Sequence, residues 1–76
     1  MNTHRIVTKA NININKWGLQ TPDTILLAMM KELGELTQAF LQYNYENGDY
    51  QKIDKEIYDL LALCEQFERS MKEVKK

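Results

Sequence analysis

The chain lacks the staples that small domains commonly use. Its 76 residues include one cysteine, Cys64, and one histidine, His4. No disulfide can close within the chain, and no Cys/His set offers a structural zinc site. No apolar run approaches the roughly 20 residues of a membrane span, and the N-terminus has no apolar signal region after its basic residues. Neither sign of charge dominates: 10 Lys and Arg stand against 11 Asp and Glu, for a formal net charge of −1. A nucleic-acid backbone therefore finds no overall attraction here. There is no internal repeat and no low-complexity tract. These absences predict a cytoplasmic protein with neither a membrane nor a nucleic acid as partner.

One domain over residues 1–76 is the size limit, and a single core of this size supplies only about 3–5 kcal/mol of net stability. Self-association is the remaining common supplement, so the chain is expected to form a homodimer or homotetramer.

What is present is helical periodicity. Ile6, Val7, Ala10 and Ile14 suggest a short amphipathic helix over residues 3–15, with three Asn near its end weakening it. Lys16 to Gln20 then read as a loop broken at Gly18. Thr21-Pro22-Asp23 is a helix start, with Thr21 as N-cap, Pro22 at the first helical position and Asp23 at the positive dipole end. Leu26, Met29, Leu33, Leu36 and Phe40 follow at spacings of three and four, and Ile25, Leu27, Met30 and Leu41 widen the apolar surface. A helix this apolar is expected to touch more than one neighbour.

Asn47-Gly48 suits a left-handed turn, and Asp49 is a cap for the next helix. Ile53, Ile57, Leu60, Leu61, Cys64, Phe67, Met71 and Val74 keep helical spacing with no Gly or Pro between them. The fold class predicted is all-α: a short N-terminal helix and two long antiparallel helices, assembling into a homo-oligomeric helical bundle. Lys72, Lys75 and Lys76 match the negative dipole end of the last helix.

Two acidic pairs carry the chemistry. Glu32-Leu-Gly-Glu35 and Glu56-Ile-Tyr-Asp59 each place carboxylates three residues apart on a helix. At about 100° per residue, Glu32 lies about 80° from the apolar stripe through Leu33 and Phe40. Glu56 lies about 60° from the stripe through Ile53, Cys64 and Met71, in the same rotational sense. The pairs thus occupy equivalent flanks of two antiparallel helices, where four carboxylates can converge on a hard divalent cation such as Mg²⁺. Like charges at this spacing are unfavourable by roughly 0.2–0.5 kcal/mol, which a cation reverses. The same acids also suit a solvated face laced with ion pairs, since Lys31, Lys52 and Lys55 stand four residues before Glu35, Glu56 and Asp59.

Trp17, Thr21-Pro22, the run Ile25-Leu26-Leu27-Ala28-Met29-Met30-Lys31-Glu32-Leu33-Gly34-Glu35-Leu36, Phe40 and Lys55-Glu56-Ile57-Tyr58-Asp59 together resemble the MazG-type all-α nucleoside triphosphate pyrophosphohydrolases. They look closest to the small dCTP-pyrophosphatase-like branch. The resemblance covers about residues 17–64. It implies Mg²⁺-dependent cleavage of a nucleoside triphosphate between the α and β phosphorus atoms, giving monophosphate and pyrophosphate. Glu32, Glu35, Glu56 and Asp59 would be the metal ligands, with Glu32 or Glu35 orienting the attacking water. Trp17 would stack on the base, its alternative being a cap over the second helix, and Lys31 would meet phosphate.

The sequence departs from that pattern at Lys31, where an acid often stands, and at Gln42, where the branch carries an aromatic. The chain also stops at Lys76, before the family's phosphate-holding segment, leaving Arg69, Lys72, Lys75 and Lys76 as basic residues that also read as a solvated helix end. The alternative is accordingly a shortened, non-catalytic relative that serves as a helical oligomerisation or nucleotide- and metal-binding module. Gly34, costly inside a helix, suggests a close helix crossing. His4 reads as surface, Cys64 as core, and Tyr50 and Tyr58 as core or interface aromatics.

Overall fold

The computed structural model describes residues 1–74, which form three helices and no strand: α1 (Thr3–Trp17), α2 (Pro22–Tyr45) and α3 (Tyr50–Val74). Lys75 and Lys76, two members of the basic cluster, lie outside the described residues. α1 and α2 each pack on α3 and not on each other. Contacts advance together along α1 and α3, from Arg5–Asp54 at 2.8 Å through Lys9–Asp59 at 2.8 Å to Asn13–Gln66 at 2.8 Å, so these two helices run parallel. α2 runs back between them in sequence. Near its end Tyr43 meets Tyr50 edge-on, with ring centroids 5.6 Å apart.

The local signals act largely as read. α1 starts at Asn2, whose Oδ1 accepts from the Arg5 N–H at 3.0 Å, and ends at Gly18, with φ of 79° and its N–H on the Ile14 carbonyl at 2.7 Å. It extends to Trp17, two residues beyond the predicted end, because its asparagines are tied to α3: Arg69 donates to Asn11, and Asn13 donates to Gln66. Asn47 takes the left-handed conformation at φ 58°. Gly48 is required for a different reason, since a Cβ there would lie 2.8 Å from the Gln42 carbonyl carbon and 2.9 Å from the Tyr43 nitrogen. Asp49 caps α3 by accepting from the Gln51 N–H at 2.9 Å. Thr21 stands at the N-cap position of α2 but makes no capping bond. Its hydroxyl pairs instead with that of Thr24 at 2.9 Å.

The core is thin. Its buried apolar residues are Ala10, Ile25, Ala39, Ile53 and Ala62, and only Ile25 is a large side chain fully enclosed. The radius of gyration is 13.6 Å, against about 11 Å for a compact domain of this length.

The structure differs from three of these expectations. The face of α2 turned to α3 does not follow Leu33 and Phe40, which are 54% and 50% exposed. It follows Ile25 and Ala39, with Met29, Glu32 and Leu36 half-buried. Because α2 is apolar around most of its circumference, hydrophobicity does not select one face, and the flank carrying the acids is the one that packs. Within the described residues of its own chain α2 touches α3 alone, so a second neighbour for its exposed apolar face would come from another copy. Cys64 is exposed rather than core, because beyond Ile53 the packed residues of α3 are Glu56, Ala62, Gln66 and Ser70, rotated away from the Cys64–Met71 stripe. Gly34 marks no close crossing within the chain, as a Cβ there would meet nothing within 4 Å.

Candidate metal centre and adjoining groove

Antiparallel packing of α2 on α3 sets the first acidic pair against the second. Glu32, Glu35 and Glu56 each bring a carboxylate oxygen within 4.8 Å of the other two. Oxygens sharing one hard cation at about 2.0–2.6 Å lie no more than about 5 Å apart, so the spacing suits a single ion.

Among the described residues the cluster meets one cation, Lys55, whose Nζ lies 3.3 Å from Glu56 Oε1. Glu56 is 5% exposed, and the Oε2 atoms of Glu32 and Glu56 are both sealed from solvent with no hydrogen-bond partner among the described residues. Buried carboxylate oxygens without partners are rare because removing them from water costs free energy that a hydrogen bond or a cation must offset. Burial pushes the Glu32 carboxyl up to about 7, with hydrogen bonds and charge from Glu35 and then Glu56 acting in the same direction. Near neutrality Glu32 is therefore only partly ionised.

The fourth acid stands apart. Asp59 lies outside the three-glutamate cluster, with one oxygen 2.8 Å from Lys9 Nζ and the other 2.8 Å from Lys55 Nζ. Burial alone would raise its carboxyl, but the hydrogen bonds and charges of Lys55 and Lys9 together hold it below the ordinary range. Asp59 in turn is the main cause of a raised Lys55 ammonium. Of the ion pairs that a solvated acidic face would show, only Lys55–Asp59 forms at the four-residue spacing. Lys31 and Lys52 make none with Glu35 or Glu56 among the described residues, and Lys55 also approaches Glu56 at 3.3 Å.

A groove of about 530 Å³ opens beside the cluster, within the range of small-molecule sites. Since α1 and α2 do not meet, α3 floors it with Asp59, Leu63 and Gln66. Asn13, Trp17 and Gln20 form one wall, and Ala28, Lys31 and Glu32 the other. Trp17 is 66% exposed and lines this groove rather than capping the second helix. Ser70, buried on α3, donates to the Gln20 carbonyl at 2.7 Å and pins the α1–α2 connection at the rim. Glu32 thus belongs both to the cluster and to the groove wall, with Lys31 beside it.

Comparison with protein-family models, curated proteins and solved structures finds no match.

The structure brings Glu32, Glu35, Glu56, Trp17 and Lys31 to one region and ties Asp59 to two lysines at its margin. Sequence reasoning missed Asn13, Gln66 and Ser70. Their signal was polar side chains at helical spacing away from the apolar stripe, which marks a second packing face once α3 is known to have two neighbours.

Proposed function

We propose that this chain is a Mg²⁺-dependent nucleoside triphosphate pyrophosphohydrolase that works as a cytoplasmic homo-oligomer. The observation that carries the reading is the pair of sealed, unpartnered oxygens on Glu32 and Glu56, within an acidic cluster that borders a groove of ligand size. The donor set is all carboxylate, which suits a hard cation. Glu32, Glu35 and Glu56 would hold the ion. When bound, it would neutralise charge on phosphate oxygens and make an adjacent water more acidic.

The chain's own groups supply the remainder. Glu32 or Glu35, beside the ion, would orient the attacking water. Lys31 offers a cation on the same wall for phosphate, and the exposed indole of Trp17 offers a face for a base. In the net reaction water adds across the bond between the α and β phosphoryl groups, giving monophosphate and pyrophosphate. Oligomerisation draws its support from α2, where Leu26, Leu27, Met30, Leu33, Phe40 and Leu41 leave a broad apolar face uncovered in the single chain.

Equimolar monophosphate and pyrophosphate released from a nucleoside triphosphate with Mg²⁺, and lost in Glu35→Gln at unchanged oligomeric state, is the expected result. No release from any nucleotide by a folded oligomer would favour the second reading, a non-catalytic nucleotide- or metal-binding module. That reading draws on one observation: among the described residues Lys31 is the single cationic residue lining the groove, with Lys9 and Lys55 engaged by Asp59.

A further inference from the structure

The inner part of the groove is built from neutral amides. Gln66 is 4% exposed on the floor, and its Oε1 accepts from Asn13 Nδ2 at 2.8 Å. The other atoms of the two amides, Gln66 Nε2 and Asn13 Oδ1, take no partner among the described residues, and neither is among the sealed atoms. Both residues line the groove, where the remaining amide atoms can offer a donor and an acceptor. Trp17 lies one helical turn beyond Asn13 on α1 and lines the same wall.

A hydrogen-bonding edge and an aromatic face therefore share one end of the groove, opposite the wall that carries Lys31 and Glu32. Among the described residues no cation lines this end of the groove: Lys9 is bound to Asp59, and Lys16 Nζ sits 5.1 Å from the centre of the Trp17 ring. The chemistry suits a neutral planar group rather than a phosphate.

We propose that the Asn13–Gln66 amide pair reads the edge of a nucleobase stacked on Trp17. Its donor and acceptor match a base edge that places an acceptor beside a donor. The inference rests on the nucleotide reading of the groove and adds to it the residues that set base preference. The pair is not needed simply to fasten α1 to α3, since Arg5–Asp54, Lys9–Asp59 and Arg69–Asn11 already do so.

Asn13→Asp separates reading from fastening. The Gln66 amide can turn over and donate Nε2 to the new carboxylate, which keeps the link but leaves two acceptors facing the groove. Binding is read by quenching of Trp17, the single tryptophan, on titration with the α,β-methylene triphosphates of adenosine, guanosine, cytidine and uridine in Mg²⁺. Hydrolysis of the corresponding natural triphosphates is measured in parallel. The expected result is a changed rank order among the four bases, with the ratio between the best and another base shifting about tenfold, the scale of one hydrogen bond. Asn13→Leu, which removes both groups, is expected to flatten the preference and serves if the Asp variant does not fold.

A uniform change with the rank order kept in both variants overturns the inference and leaves a fastening pair. If hydrolysis proceeds with that order unchanged, the base reader fails while the enzyme stands. A changed binding order without hydrolysis of any nucleotide supports the reader and removes the enzyme. Absence of quenching by all four analogues removes the base reader, and absence of hydrolysis beside it removes the enzyme as well.

Discussion

Glu32 on α2 and Glu56 on α3 are close enough to share a cation, and each keeps one carboxylate oxygen sealed from solvent and unpartnered. Adjacent acids of this kind favour a proton or a metal ion between them, and the two compete.

The pH dependence of stability follows. The folded-state carboxyl of Glu32 sits near 7, above its ordinary 4.5, so the folded protein holds a proton that the unfolded chain releases. Its contribution is full below about pH 4.5 and is lost as pH rises through 7. Thermal melts in EDTA are expected to show lower stability at pH 8 than at pH 5.5, and Glu32→Gln to remove most of that slope. Asp59, held low by its lysines, acts with the opposite sign and only at more acidic pH. A flat profile for the wild type would contradict the buried, shared proton.

Adding Mg²⁺ at pH 8 is expected to restore stability, since a ligand bound only by the folded state raises it. Glu56→Gln should weaken Mg²⁺ binding at least about tenfold, a loss on the scale of one charge-assisted contact. Asp59→Asn should change it less than about threefold and cost at most about 1 kcal/mol of stability through its lysine pairs. Isothermal titration distinguishes the two. Equal losses would make Asp59 a ligand in the metal-bound state.

The open face of α2 gives a test of assembly. If the chain assembles through this face as proposed, Leu33→Asp should leave it monomeric in sedimentation, because a charge would be buried against apolar side chains. Gly34→Ala discriminates further. Within one chain the added methyl meets nothing and should stabilise the helix by about 1 kcal/mol. Dissociation on the same change would show that a second copy approaches closely at Gly34.

At the α2–α3 turn, Gly48→Ala should destabilise by roughly 1–3 kcal/mol in chemical denaturation, because its methyl would press on backbone atoms less than 3 Å away. Asn47→Gly should cost far less, since glycine accepts the same positive φ.

The helices were legible because their punctuation is local. Pro22, Gly18, Asn47-Gly48 and Asp49 each act within a turn of their own position. The convergence of Glu32, Glu35 and Glu56 was legible from spacing and an antiparallel turn. Rotation of the helices was harder to read, because Leu33, Phe40 and Cys64 would be core in a chain that enclosed its own apolar surface, and this one leaves much of it outside. The detachment of Asp59 from the cluster depends on Lys9, fifty residues away in sequence and brought near only by the parallel packing of α1 on α3.

That packing bears on the order in which the molecule opens. The α2–α3 hairpin joins neighbouring segments through a short turn, whereas α1 holds to α3 alone. α1 can therefore lift away without breaking any α2–α3 contact, and its amides should exchange hydrogen with solvent ahead of those in the hairpin. One wall of the groove, with Asn13 and Trp17, would leave with it, so the groove is complete only while α1 stays docked on α3.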